Sequence, residues 1–153
     1  MKLDVLLVPV DFSDVTQSVY EAAADLAGRL GSKVVLLKVT EPEIDYVGMA
    51  PPQAMMSADE TMTKAAESAL TAGAEYFVKR SLQVETLHLV GPVLTTILDE
   101  TNRSGAGMIV LGSHGHGAIY SLLVGSIAEG VIRHSSVPVL VVPVLRAPQK
   151  TAP

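Results

Sequence analysis

The sequence predicts an α/β protein in which an open, parallel sheet of five strands carries helices on both faces. Two observations lead to this prediction. Short apolar segments of strand length alternate along the chain with longer segments whose apolar residues repeat at the helical period. The first strand-like segment, Val5–Val10, contains no polar side chain, as is typical of a strand buried on both faces. Strands that alternate with helices form parallel sheets through right-handed crossovers.

The first half of the chain contains two predicted strands, one complete predicted helix and the start of a second helix. After Val5–Val10, a helix is predicted from Thr16, and Gly31 stands where its C-terminal cap is expected. Its apolar stripe consists of Val19, Ala22, Ala23, Leu26 and Leu30. A second strand is predicted over residues 34–39. A second helix is predicted to begin after Ser57, because Ser57 and Glu60 form a capping box.

The second half of the chain continues the alternation. Residues Val84–Val90 have the pattern of a third strand, and Gly91 and Pro92 introduce a third helix at a position that proline favours. The fourth strand is predicted over residues 107–111 and the fifth over residues 137–142. Between these two strands, a fourth helix is marked by Ile127, Val131 and Ile132.

The length of the chain indicates one domain. With 153 residues, the chain is predicted to form a single domain over residues 1–146, followed by a C-terminal tail over residues 147–153. The long irregular segment predicted over residues 41–56 contains three prolines. It is consistent both with a functional surface lid and with a simple insertion.

The composition narrows the expected partners and compartment. The net charge is −5 and the 11 Lys and Arg residues are scattered, so the sequence predicts no basic surface for a nucleic acid. The chain has no cysteine, which excludes disulfides and thiolate chemistry. Its apolar runs are shorter than a signal peptide or a membrane span requires. We therefore expect a cytoplasmic protein with no nucleic acid or membrane partner.

The stretch after the predicted fourth strand is rich in glycine. Gly112, Gly115 and Gly117 fall close together, and Gly125 and Ser126 precede the fourth helix. Ligands of open α/β sheets bind beyond the carboxyl ends of the strands. A glycine loop that leads to a helix N-terminus offers a phosphate both amide donors and the positive end of the helix dipole. The glycines alone leave open a second interpretation, a turn that merely connects strand and helix.

The spacing of these residues, G-x2-G-x9-G-S, resembles the universal stress protein family, in the branch that binds ATP. The resemblance extends over roughly residues 3–144. Its further motifs are VPVDFSD, LLKVTEP, VGP, MIVLGSHGHG and SSVPVLVVP. The resemblance implies a flavodoxin-like, Rossmann-like fold with the strand order 3-2-1-4-5. It also implies ATP, with Mg²⁺, in the crevice between strands 1 and 4, where the physical rule for such sheets places a ligand as well.

By this resemblance, the triphosphate contacts two segments of the chain. Its expected partners are the backbone amides of Gly112, Ser113, His114, Gly115, His116, Gly117, Ala118, Ser126, Ile127 and Ala128. Ser126 also offers its hydroxyl, and Gly125 lets the helix approach closely. Pro9 and Asp11 line the ribose and inner phosphates, with Asp11 as an indirect contact of Mg²⁺. Val39 presents its backbone to the adenine edge. Two assignments have alternatives, since Asp11 also suits a cap of the first helix and Val39 a plain strand end.

No residue is predicted to be catalytic. A P-loop has a lysine after its second glycine, whereas this chain has His116 there. Without a fixed cation, stabilisation of a phosphoryl-transfer transition state should be poor. We expect a nucleotide-dependent regulatory module of the stress response, with at most weak ATP hydrolysis. The alternatives are a slow ATPase, or a nucleotidyl or phosphoryl transferase, using the same pocket, and a structural dimeric stress protein without nucleotide.

The fifth strand predicts a homodimer. In the order 3-2-1-4-5 this strand lies at an edge of the sheet, and residues 137–144, VPVLVVPV, contain no charge to protect that edge. Pairing with the same strand of a second copy would satisfy the edge and close the assembly. The family resemblance implies the same contact. A loop or the C-terminal tail covering the edge is the alternative.

Overall fold

The structure, a computed structural model, describes residues 2–42, 52–114 and 124–143, with the backbone alone for residues 52–59. Strands and helices alternate through these residues. In chain order they are β1 (Val5–Val10), α1 (Thr16–Leu30), β2 (Lys33–Thr40), α2 (Pro52–Val78), β3 (Val84–Val90), α3 (Val93–Arg103), β4 (Met108–Gly112), α4 (Ser126–His134) and β5 (Val139–Val142). The predicted number and order of strands and helices are therefore confirmed.

The five strands form one parallel sheet in the order β3-β2-β1-β4-β5. This confirms the predicted fold class and the strand order that the family resemblance implies. Val10 of β1 stands opposite Lys38 of β2, and Lys38 stands opposite His88 of β3. On the other side of β1, Leu7 pairs with Ile109 of β4. The register thus sets residues near the carboxyl ends of β1, β2 and β3 in one row.

The two faces of the sheet bury separate cores, because alternate side chains of a strand point to opposite faces. The first core lies against α1 and α2 and includes Leu6, Val8, Val10, Val19, Ala23, Val34, Leu36, Leu70 and Phe77. The second core lies against α3 and α4 and includes Leu7, Val35, Leu37, Val39, Ile97, Ile109, Leu111, Ala128 and Val131. Helices therefore cover both faces of the sheet, as the apolar strands predict.

The first helix ends as the sequence predicts. Gly31 has a φ of 70° and its N–H donates to the carbonyl oxygen of Ala27. A residue with a side chain adopts this left-handed conformation at a cost, whereas glycine does not. Gly31 thus stops α1 and directs the chain into β2.

The start of α2 differs from the prediction. The helix begins at Pro52, so Ser57 lies inside it and does not act as a cap. Proline suits the first helical position because the N–H that it lacks would have no partner there. The following residues include strong helix formers such as alanine and methionine, which extend the helix. The irregular segment is therefore shorter than residues 41–56, and residues 43–51 lie outside the described part of the chain.

The last helix and strand also differ in detail. On α4, Val131 is buried as expected, but Ile127 and Ile132 are 38% and 49% exposed. The helix is rotated so that Ala128, a smaller residue, packs on the sheet beside Val131. The strand β5 begins at Val139 and not at residue 137, because Pro138 has no N–H for the ladder.

One further property bears on the membrane. Within residues 2–42, 52–114 and 124–143, no helix combines the length and the apolar character that a bilayer span requires.

Candidate functional site

The predicted site residues lie at the carboxyl ends of β1 and β4. These strands are neighbours in the sheet although they are first and fourth in the chain. After β1 the chain continues into α1, which packs on one face of the sheet. After β4 it continues to α4, which packs on the other face. A change of side between adjacent strands is the topological switch point at which open α/β sheets bind ligands.

The loop after β1 is held by its own aspartate. The Oδ1 atom of Asp11 accepts a hydrogen bond from the N–H of Ser13 at 3.0 Å. The N-terminal cap of α1 is Val15, and no side chain caps that helix. The alternative in which Asp11 caps α1 is therefore wrong. Pro9 precedes this loop within β1, opposite Leu37 of β2.

Phe12 gives this loop a strained backbone. Its φ is 61°, which is uncommon for an aromatic residue. Such a conformation costs of order 1–3 kcal/mol and persists only where the surroundings hold it. The Phe12 side chain packs against the first core, and the Lys38 Nζ atom lies 5.7 Å from the centre of its ring. Packing of the ring thus holds the turn that follows Asp11.

The end of β4 continues into a buried polar residue. Ser113 follows Gly112, and its N–H donates to the carbonyl oxygen of Val142 in β5 at 2.8 Å. The side chain of Ser113 is buried, and its Oγ atom lies 3.0 Å from Nδ1 of His114. Ser113 is therefore fixed both by the neighbouring strand and by the next side chain.

The start of α4 is bound directly to the end of β4. The N–H of Gly125 donates to the carbonyl oxygen of Ser113 at 2.6 Å. Gly125 is the N-terminal cap of α4, and no side chain caps the helix. The first-turn amides of Ser126, Ile127 and Ala128 have no partner within an α-helix. The two predicted phosphate-binding segments are thus brought together at residues 113 and 125.

Close packing explains the glycine at position 112 and favours a glycine at position 125. A Cβ atom at Gly112 would lie 2.4 Å from Cγ1 of Val15, and one at Gly125 would lie 3.2 Å from the oxygen of Ser113. Gly125 has a φ of −72°, so the backbone conformation does not demand glycine there. Gly112 lets β4 meet the start of α1, and Gly125 lets α4 meet the end of β4.

Val39 lies near the carboxyl end of β2, one strand from β1. It pairs with Leu89 of β3, and its side chain is buried in the second core. Only its backbone can therefore face a ligand at the edge of the sheet. This position suits the predicted adenine contact and equally suits a plain strand end, so both interpretations remain predictions.

Part of the predicted site lies outside the described residues. Gly115, His116, Gly117 and Ala118 fall between residues 114 and 124 and have no described position. The described residues contain no group of three or more His, Asp and Glu side chains that could hold a metal ion. The predicted Mg²⁺ contact therefore rests on Asp11 with a bound nucleotide, and it remains a prediction.

Two residues near this edge were not among the predicted ones. Val15 fills the space that Gly112 leaves, which no sequence pattern indicates. Lys38 lies at the carboxyl end of β2, next to the end of β1. Its signal in the sequence is a single charged residue within the otherwise apolar run VVLLKV.

The fold defines an open, doubly wound α/β protein of the flavodoxin-like class, with its topological switch point between β1 and β4. The model of the universal stress protein family matches residues 2–143. The chain belongs to this family. Universal stress protein MJ0531 of Methanocaldococcus jannaschii is 26% identical to it over 137 residues, which cover 90% of this chain and 80% of that protein.

Solved structures show the same fold. The hypothetical protein MJ0577 matches with a TM-score of 0.84 at 24% identity, covering 96% of this chain and all of that one. A universal stress protein from Archaeoglobus fulgidus, solved in complex with dAMP, matches with a TM-score of 0.60 at 25% identity, covering 93% and 99% of the two chains. A universal stress protein solved in complex with cAMP matches with a TM-score of 0.66 at 20% identity, covering 95% and 100%.

Proposed function

We propose that this protein binds ATP with Mg²⁺ in the crevice between β1 and β4 and acts as a nucleotide-dependent regulatory module. The observation that carries the proposal is the hydrogen bond from Gly125 to Ser113, which sets the uncapped start of α4 against the end of β4. An uncapped helix N-terminus at a switch point offers donors to an anion. The complexes of two structural relatives with cAMP and dAMP support an adenine nucleotide as the ligand.

Each part of the nucleotide has a proposed contact. The amides at the start of α4, with the Ser126 hydroxyl, bind phosphate oxygens together with the amides that follow β4. The Asp11 carboxylate, oriented by Ser13, faces the ribose, inner phosphates and Mg²⁺. The backbone of Val39 recognises the adenine edge, because its side chain is buried in the core.

Regulation fits the site better than catalysis does. Besides Mg²⁺, efficient phosphoryl transfer uses a lysine or an arginine that stabilises charge on the transferred group. The proposed contacts include no lysine or arginine, and the His114 ring is held by the Ser113 hydroxyl. Backbone amides and a helix dipole bind phosphate oxygens, but they supply neither a general base nor a fixed cation for the transferred group. We therefore expect ATP hydrolysis to be slow and not to be the function; the role in the stress response rests on family membership.

The test is a comparison of nucleotides. Isothermal titration of the full chain with ATP, GTP and NAD, each with Mg²⁺, is expected to give tightest binding for ATP. Denaturing protein that was purified without added nucleotide, followed by mass spectrometry of the supernatant, is expected to release an adenine nucleotide. Equal affinity for ATP and GTP, or no binding of ATP, would contradict the proposal. Turnover of many ATP per second that is lost in Asp11→Ala would overturn the expectation of slow hydrolysis and favour an enzyme that uses the same pocket.

The proposal includes a homodimer through β5. This strand lies at the sheet edge, and among the described residues β4 is its one strand partner. Leu140 is 36% exposed on that strand, which carries no charged side chain. An unprotected apolar edge favours pairing with a second copy. The alternative is that a loop or the C-terminal tail covers this edge within the monomer, and residues 144–153 lie outside the described part of the chain.

A further inference from the structure

A second group of polar side chains lies at the carboxyl ends of β2 and β3. Lys38 and His88 stand opposite each other in the two strands, and Thr40 follows two residues after Lys38. All three are partly buried. Neighbouring parallel strands lie about 5 Å apart, so the side chains of Lys38 and His88 begin within that distance of each other. Thr40 and His88 are in contact, with Oγ1 and Nε2 at 2.9 Å.

This group lies on the opposite face of the sheet from the proposed nucleotide phosphates. Val34 and Leu36 of β2 point into the first core, so the alternation of side chains places Lys38 and Thr40 on the same face. The contact between Lys38 and Phe12, whose ring packs on that core, agrees with this. The start of α4 belongs to the other face, where Ala128 lies in the second core.

Lys38 is a partly buried cation without a counter-charge among the described residues. The five ion pairs there involve Arg29, Lys33, Lys79, Arg103 and Arg133, but not Lys38. Within the described part of the chain, its ammonium group lies over the ring of Phe12, 5.7 Å from the ring centre. An aromatic face is a weaker partner for an ammonium group than a carboxylate or phosphate is. A partly buried ammonium group in no ion pair with a described residue can accept an added anion as its partner.

The bond between Thr40 and His88 leaves a donor for that anion. If the Thr40 hydroxyl donates to Nε2, the neutral imidazole carries its hydrogen on Nδ1 and can donate from there. If Nε2 donates to Thr40, the hydroxyl hydrogen is available instead. In either arrangement the Thr40–His88 pair keeps one N–H or O–H donor, at the strand position opposite Lys38.

We propose that Lys38, Thr40 and His88 form a second binding site, which takes the phosphate group of a small molecule. The three N–H donors of the Lys38 ammonium group, together with the one donor that the Thr40–His88 pair keeps, suit a group with several oxygens such as a phosphate. The site lies at the carboxyl edge of the sheet, where open α/β folds bind ligands, but one strand pair away from the crevice between β1 and β4. It is independent of the proposed nucleotide function.

The test uses inorganic phosphate as the probe. Side-chain NMR signals of His88 are followed in the full chain during phosphate titration, at constant ionic strength and in a buffer without other oxyanions. We expect a saturable change in the wild type and an affinity about tenfold or more weaker in Lys38→Met, since a charge-assisted hydrogen bond is lost. Lys33→Met is the matched control: it removes the same charge from the other end of β2, and it should leave the affinity unchanged.

Several outcomes would overturn the proposal. These are no saturable change in the wild type, equal affinity in Lys38→Met, or a tighter response to acetate than to phosphate. Gly125→Val, designed to impair the nucleotide crevice, should keep the phosphate response; loss of that response would assign the probe to the crevice and reject the second site. If Lys38→Met fails to fold by circular dichroism, Lys38→Gln, which keeps a polar end, gives the same comparison.

Discussion

Gly125 donates its backbone N–H to the carbonyl oxygen of Ser113 at 2.6 Å, across twelve positions of the sequence. This bond joins the beginning of α4 to the end of β4 and forms the base of the glycine-rich segment between them. The glycine suits this close approach, since a Cβ atom there would lie 3.2 Å from the same oxygen, closer than an ordinary contact. The geometry of the proposed phosphate site therefore depends on this one close approach.

Replacing Gly125 with valine should separate α4 from Ser113. The branched side chain would push against the Ser113 carbonyl group and move the first-turn amides away from the crevice. We expect ATP affinity to fall about tenfold or more, as for loss of one or more hydrogen bonds to a charged group. Isothermal titration measures this. Gly28→Ala is the control, because a Cβ atom there makes an ordinary contact at 3.9 Å with Leu82. Unchanged ATP affinity in Gly125→Val would mean that the segment is a simple connector.

Two substitutions at Asp11 should separate its structural and binding roles. Asp11→Asn keeps an oxygen that can accept the Ser13 N–H, so its thermal stability should remain near that of the wild type. Asp11→Ala loses that bond and should lower the free energy of unfolding by about 1 kcal/mol. Both variants should weaken ATP binding in the presence of Mg²⁺, because both remove the carboxylate charge. Full Mg²⁺-dependent affinity in Asp11→Asn would show that the charge is not used.

Gly112 and Val15 should be energetically coupled. A Cβ atom at residue 112 would lie 2.4 Å from Cγ1 of Val15, so Gly112→Ala should destabilise the fold by about 1–3 kcal/mol through overpacking. The double variant Gly112→Ala with Val15→Ala makes room for that atom. Its loss of stability in urea unfolding should be smaller than the sum of the two single losses. If the two losses of stability simply add, the strain in Gly112→Ala does not come from its contact with Val15.

The β5 edge should control assembly. Leu140→Lys alters an exposed side chain, so it should spare the protomer fold and set like charges close together across the two-fold axis. Sedimentation at micromolar concentration is expected to give a dimer for the wild type and a monomer for this variant, with dimer affinity reduced about a hundredfold or more. Val78→Lys places the same charge at an exposed residue of α2 and should stay dimeric. A monomeric wild type would refute the dimer.

Tyr20 should make the fold sensitive to high pH. Burial between α1 and α2 raises the pKa of its phenol, because the charged form is poorly solvated there. The pKa of Tyr20 is therefore higher in the folded than in the unfolded protein, where it is about 10. The contribution of Tyr20 to stability is fully present below the unfolded pKa, and it is lost as the pH rises through the folded pKa. The free energy of unfolding in urea should therefore fall from pH 9 to pH 11 by less in Tyr20→Phe than in the wild type. An identical fall in both proteins would contradict this.

Local patterns in the sequence determined the order of strands and helices. The period at which apolar residues recur depends only on neighbouring residues, and it distinguishes a strand from a helix. The run Val5–Val10 indicates burial on both faces, and Gly31 supplies a left-handed cap that no distant contact is needed to explain. The start of α2 was predicted wrongly from Ser57 and Glu60. A capping box identifies a possible helix start but does not exclude a longer helix that begins at Pro52.

The motif G-x2-G-x9-G-S indicated the site through resemblance, but only the tertiary structure decided what its glycines contact. Gly112 meets Val15, and Gly125 meets Ser113, because the packing of α1 and α4 on opposite faces brings separate parts of the chain to one edge. The pairing of β2 with β3 sets Lys38 opposite His88, which lies 50 residues later in the chain, although neither residue belongs to a local motif. Pairing between strands depends on the whole sheet, so these contacts cannot be derived from the periodicity of any single segment.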